Sequence, residues 1–295
     1  MKKIMICGAT ALMLIACGSE NNFDATGTFE ATEVVISSEV AGRIVEFDVQ
    51  EGDMVTADAV IGLIDTMQLH LQRKQLVAQQ SALLSSRPDI QTQVSAIREQ
   101  IAKWQTERTR VSNLLKDGAA TTKQLDDIDA QLSILNGQLD ATLSTLNNST
   151  ASINDNVAAL EAGIAQIDDR LAKCRIASPI SGTVLAKYSE EGELAAVGRP
   201  MIKVADMGNI YLRAYFTSDQ LSSIKLGDEV KVVADFGADE QIEYGGKITW
   251  IASESEFTPK NIQTKDSRAN LVYAVKIAVK NDGRLKLGLS GKVHL

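Results

Sequence analysis

Only two histidines, His70 and His294, and three cysteines, Cys7, Cys17 and Cys174, are available for proton transfer, nucleophilic attack or metal ligation in this 295-residue chain. Histidine-centred general-base chemistry needs an imidazole held between a nucleophile and an orienting carboxylate, and no such set can be assembled around either histidine. The cysteines lack the Cys-x-x-Cys or Cys/His spacing that a zinc site or a redox pair requires. A phosphate loop of the form Gly-x-x-x-x-Gly-Lys-Ser/Thr does not occur. The chain is therefore expected to be no enzyme and to use no cofactor or metal. With 30 Lys and Arg against 38 Asp and Glu its charge is −8 at pH 7, which repels phosphate backbones and anionic lipid except at a local basic patch. Nucleic acid is excluded as a partner.

One chemical modification is legible. Lys2 and Lys3 precede an apolar run from Ile4 to Ala16, then Cys17 and a polar stretch. Thirteen helical residues span about 20 Å, short of the roughly 30 Å of a bilayer core, so the run reads as a cleaved signal peptide rather than a spanning helix. Leu14-Ile15-Ala16-Cys17 resembles a bacterial lipobox, which makes residues 1–16 a leader and Cys17 the acylated first residue of the mature chain. Ordinary secretion with a chance cysteine is the alternative. Residues 17–33 would then be a tether and lead-in strand, and Cys174 would remain without an intramolecular partner.

The apolar pattern contains a split repeat. Val40-Ala41-Gly42-Arg43-Ile44-Val45 through Glu51-Gly52-Asp53-Met54-Val55 matches Ile180-Ser181-Gly182-Thr183-Val184-Leu185 through Glu191-Gly192-Glu193-Leu194-Ala195 at an offset of 140, and after one inserted residue Ile61–Asp65 faces Ile202–Asp206. Each unit, 34–65 and 174–206, reads as short alternating strands with turns at Gly42, Gly52, Gly182 and Gly192.

Residues 66–173 separate the units. Apolar residues recur every seven from Leu69 to Val111 and again from Leu125 to Cys174, with intermediate seats at Val94, Ile101, Leu115, Ile128, Leu135, Val157, Ile164 and Leu171. This is the stripe of an antiparallel coiled-coil hairpin of roughly 75 Å. Gly118 is expected to end the first arm in a left-handed conformation, and a threonine to cap the second. Pro88 and the polar run Asn147-Asn148-Ser149-Thr150 lie at one height, so both arms should bend or restart there, with Ser85 or Ser86 as the new cap. Residues 207–295 return to strand alternation, at 210–216, 229–234, 246–251 and 271–279, with a short helix from Asp219 to Lys225: a small β-barrel.

The fold class is thus α+β multidomain, with a long helical hairpin inserted between two halves of a β domain and a β-barrel after it. The split unit resembles the half-motif of biotinyl/lipoyl domains, although no acceptor lysine stands at the junction, which argues against a carrier subunit. A coiled-coil structural lipoprotein would explain the hairpin but not the barrel. The whole arrangement is similar to periplasmic adaptors, or membrane fusion proteins, of the hemolysin-secretion D-like superfamily. That resemblance implies a non-catalytic link between an inner-membrane transporter and an outer-membrane channel, self-association into a ring, and a periplasmic lipoprotein of a Gram-negative envelope held by Cys17. It also implies a channel contact at the hairpin tip through Arg110, Leu114 and Thr121, with Gly118 in the turn and threonine where the family has serine. Glu256 through Arg268 resembles a segment of ABC-exporter adaptors, and the chain's end at Leu295 favours an ABC-type or major-facilitator partner.

Overall fold

The computed structural model describes residues 23–237, 241–257 and 271–295. Strands β1 (Ala25–Ser37), β2 (Gly42–Glu46), β3 (Met54–Val55) and β4 (Val60–Ile64) come first. Helices α1 (Met67–Ser85), α2 (Ile90–Lys116) and α3 (Thr122–Lys173) follow. Then come β5 (Arg175–Ala177), β6 (Gly182–Lys187), β7 (Leu194–Ala195), β8 (Pro200–Thr217), α4 (Ser218–Leu221), β9 (Glu229–Asp235), β10 (Gln241–Ile251), β11 (Glu256–Phe257), β12 (Leu271–Lys280) and β13 (Ser290–His294).

The two lipoyl-like halves interlock by a pseudo-twofold relation with a constant offset of 140. Val60, Gly62 and Leu63 pair with Ala177, Ile176 and Arg175. Pro200, Ile202 and Lys203 pair with Ser37, Ile36 and Val35 in the same way. The inserted residue expected from the sequence does not exist: each half carries a register shift at the corresponding place, so the offset stays at 140 throughout. Gly52 and Gly192 are left-handed, at φ +94° and +86°, and their amides donate to Val184 and Ile44 carbonyls at 2.9 Å. Gly42 and Gly182 are not turn residues, contrary to expectation. They open β2 and β6, where a Cβ would stand 2.6 Å from Ile64 Cγ2 and 2.3 Å from the Ala205 carbonyl oxygen. The remaining left-handed pair is Asp58 and Gly198. Ser38 and Ser178, also equivalent, are buried and donate their hydroxyls to the Val40 and Ile180 carbonyls.

These two kinds of glycine predict different costs. Gly52→Ala meets open space and bears only the left-handed backbone penalty, about 1–2 kcal/mol. Gly182→Ala drives a methyl into a backbone carbonyl that only movement of β8 can relieve, and should cost about 3 kcal/mol or more. Comparing denaturant midpoints of the two variants checks this; equal midpoints would mean that β6 and β8 are not so close.

Strands β1 and β8 run through both β domains. Thr26 to Ala31 pairs with the outer half of β8, and Ala25 to Thr28 with β13, while Glu33 to Ser37 pairs with the inner half of β8. The segment expected as a lead-in therefore supplies a barrel strand. Six strands close the barrel through the β8–β12 pairing, around Phe29, Leu212, Phe216, Ile248, Ile277 and Leu285. Helix α4 is shorter than expected, because Ser222 and Ser223 turn their hydroxyls onto the Asp219 and Gln220 carbonyls.

In the hairpin every apolar seat named above is buried or half-buried, whereas Leu71, Val77, Leu84 and Ile134, off the stripe, are exposed. Arg73 bonds Asp168, Gln80 bonds Glu161, Arg87 bonds Asn154 and Arg108 bonds Asp129, so the arms are antiparallel. The outgoing arm breaks at Pro88, but its new cap is Asp89, whose carboxylate accepts the Thr92 amide at 3.2 Å. Ser85 and Ser86 instead donate back to Ser81 and Leu83 carbonyls. The return arm does not break. Asn147, Asn148 and Ser149 face solvent, and Thr150 donates to the Leu146 carbonyl, which keeps its hydroxyl inside the helix's own network. Residues 87–108 lie opposite residues 129–154, so α3 uses four more residues over that height. Residues 87–89 lie outside both helices, and non-helical chain rises up to about twice as far per residue as helix, which accounts for the difference. The seam of α3 takes up these four residues as a stutter, with successive half-buried seats at Thr142, Leu146 and Thr150.

Candidate functional site at the hairpin tip

The tip is a doubly capped turn. After α2, Gly118 adopts φ +70°, its amide donates to Leu115 at 3.1 Å and the Ala119 amide to Leu114 at 2.8 Å. These are the paired bonds of a Schellman motif, which satisfy the last carbonyls of the helix. Thr121 then caps α3: its hydroxyl accepts the Gln124 amide, and the Gln124 side chain accepts the Thr121 amide at 2.9 Å. Below the turn, Ile101, Val111, Ile128, Leu132 and Leu135 form one buried cluster. An Arg108–Asp129 ion pair closes its edge. The turn is thus held by caps on both sides and by apolar packing beneath.

Arg110 and Leu114, one turn apart on α2, share a face. The Arg110 side chain is 63% exposed and forks onto Glu107, with Nε donating to Oε2 at 2.9 Å and a terminal nitrogen to Oε1. Hydrogen bonding and charge in this pair hold the Glu107 carboxyl below its usual range and raise the Arg110 guanidinium. Leu114 is half-buried and lies outside the seam cluster. Of the four residues expected at the contact, Arg110 and Leu114 present side chains along the arm, Gly118 supplies backbone geometry and Thr121 is engaged in its cap. Glu107 was missed, although its spacing of three from Arg110 is the signal for such a pair.

Among the described residues no cluster of three or more His, Cys, Asp or Glu side chains could hold a metal ion, and no helix is long and apolar enough to cross a membrane. Cys174 is buried beside the lipoyl-like core, and burial together with the nearby Asp65 charge pushes its thiol pKa up, as befits a packing residue. Cys17 and the leader, and the stretch from Thr258 to Arg268, lie outside the described residues.

Residues 32–206 match the family described as RND MFP, barrel-sandwich hybrid domain. A UPF0194 membrane protein from Citrobacter koseri is 29% identical over 291 residues, 92% of this chain and 87% of that protein. Another, from Yersinia pseudotuberculosis, is 32% identical over 115 residues, 39% of this chain and 34% of that protein. MacA from Actinobacillus actinomycetemcomitans superimposes with a TM-score of 0.55 at 22% identity, over 91% of this chain and 76% of that one. A membrane fusion protein from Streptococcus pneumoniae R6 gives 0.50 at 18%, over 91% and 96%. These likenesses show the fold, a hairpin carried between the halves of a β sandwich with a barrel after it. The family match covers both halves and the hairpin between them, and on it the chain belongs to the RND-type membrane fusion proteins.

Proposed function

We propose that this protein is a non-catalytic periplasmic adaptor that joins an inner-membrane transporter to an outer-membrane channel. The observation that carries the reading is the capped tip. A 52-residue helix, about 78 Å long, holds a turn at its far end, and near that turn Arg110 is exposed and Leu114 half-exposed, outside the buried seam cluster. Arg110 contributes nothing to the seam, so its guanidinium is open to a partner's helices. The β domains sit at the opposite end, where a transporter would be held, and a ring of copies would close a conduit.

The transporter class remains the sequence expectation of an ABC-type or major-facilitator protein. The family description names RND proteins instead, and capture decides between them. A photocrosslinking side chain at Asn113, exposed beside Leu114, should trap an outer-membrane channel in cells, whereas one at Val35 on the β domains should not. Co-purification of an ATPase and permease would support the ABC class. Crosslinks from Asn113 only to inner-membrane proteins would overturn the orientation.

The anchor is part of the same reading. Acylation requires the Cys17 thiol, so Cys17→Ser should leave the chain unprocessed or free in the periplasm, while Cys7→Ser, in the discarded leader, should behave as wild type. Fractionation with palmitate labelling measures this. Equal labelling of the Cys17→Ser chain would remove the assignment.

A further inference from the structure

The barrel carries a row of basic residues across four strands. His294 of β13 pairs with Lys231 of β9, and Lys231 with Gly245 of β10. One step beyond the Gly246–Val279 pair, Gly245 comes beside Lys280 of β12. Lys247 lies one row along, between Glu229 and Ala278. These side chains line one open groove of about 710 Å³, with Gly245 in its wall. Three side-chain carboxylates are near, Glu229 in the groove, Glu243 with an oxygen 3.7 Å from Lys231 Nζ, and Asp24 on the amide of the lining Leu295, against three lysines and His294.

The fold gives no reason for a glycine at 245. Its φ is not left-handed, a Cβ there would meet nothing within 4 Å, and the β9–β10 ladder runs without a shift from Gln241 to Lys247. Gly246 differs, since a Cβ would strike Ile277 and Val232. A strand glycine needed neither for a turn, a bulge nor packing marks a place where something outside the sheet approaches the backbone.

We propose that this groove binds the phosphate of an anionic phospholipid headgroup, with Lys231, Lys280 and Lys247 around the phosphate and Gly245 leaving the wall open. Lysine ammonium groups are compact point charges suited to a phosphate whose orientation is fixed by its own membrane. The location fits. Leu295, which lines the groove, donates its amide to Asp24 Oδ2 at 2.8 Å, and Asp24 follows Cys17 by seven residues, a reach of at most about 25 Å. An acyl chain on Cys17 would hold this side of the barrel at the headgroup layer. The choice of a lipid over a free phosphate rests on that anchor reading; the groove does not.

The test is calorimetric titration of the mature full chain with three probes: dioctanoyl phosphatidylglycerol, dioctanoyl phosphatidylcholine and inorganic phosphate. Phosphatidylglycerol should bind at least tenfold more tightly than either of the others. Lys231→Gln with Lys280→Gln, and separately Gly245→Leu, should each weaken it at least tenfold with an unchanged melting temperature. Affinity untouched by the lysine pair overturns the groove, and inorganic phosphate binding as tightly as phosphatidylglycerol overturns the lipid. Acylation at Cys17 is scored by labelling, so failure of the anchor and failure of the groove read out separately.

Discussion

Arg110→Asp should lower export at least tenfold in a transport assay, while abundance, helical content and melting temperature are expected to stay at wild-type values. The side chain is exposed near the tip and, among the described residues, bonds only Glu107, three residues back on its own helix, so the hairpin seam loses nothing when it is replaced. What is lost is a planar donor fork able to make paired bonds to a carboxylate or carbonyl of a channel, and what is gained is a charge of the wrong sign. Arg110→Lys keeps the charge without the fork and should fall between. Glu107→Gln should retain export, because freeing the guanidinium from its intrahelical partner leaves it available. The Arg110–Glu107 pair itself persists at neutral pH. The Glu107 carboxyl is held below its ordinary value, so any stabilisation is present above the unfolded-state value and is lost only as pH falls through the lowered one. Full export by Arg110→Asp at native expression would remove Arg110 from the contact and leave the fold untouched.

The second large effect is on the hairpin and not on docking. Leu135 is 4% exposed in the tip cluster with Ile101, Val111, Ile128 and Leu132. Truncating such a leucine costs about 2–5 kcal/mol, and Leu135→Asp adds an unpaired carboxylate that must protonate or force the arms apart. Limited proteolysis should cut between residues 90 and 150, while the lipoyl-like and barrel cores, which are separate clusters, stay intact. Ile134→Asp is the control: one residue away but 64% exposed, it should be tolerated. Equal resistance of both variants would show that the seam does not pass through Leu135. Export should fail in Leu135→Asp too, but with a cleaved hairpin, which separates it from Arg110→Asp.

The hairpin was legible because its seam is one-dimensional: each apolar seat recurs along a single chain, and a period of 3.5 can be counted from Leu69 to Cys174 without knowing the partner arm. Gly118 and Thr121 were legible for the same reason, since caps are local. Breaks were less so. Pro88 announced one in the outgoing arm, yet the cap fell to Asp89, because Ser85 and Ser86 bond the preceding helix. Asn147 to Thr150 suggested a break where none exists, because Asn147 to Ser149 face solvent and the Thr150 hydroxyl bonds back to Leu146, so no backbone bond is interrupted.

From the sequence alone came the order of elements, the helical stripe, the turn glycines Gly52, Gly192 and Gly118, and the kinship of the two β halves. The tertiary structure decided what depends on chains meeting from far apart. Gly42 and Gly182 are glycine because Ile64 and the Ala205 carbonyl stand where a Cβ would be, and Ala25 to Thr28 is part of a barrel strand because β13, more than 260 residues later, returns to pair with it. The paired bulges that make the offset constant arise in the same way, from strands of opposite halves crossing. Local periodicity is carried by neighbours in the chain and can be read from them; close approach and register are properties of two segments together, and only folding brings the second one in.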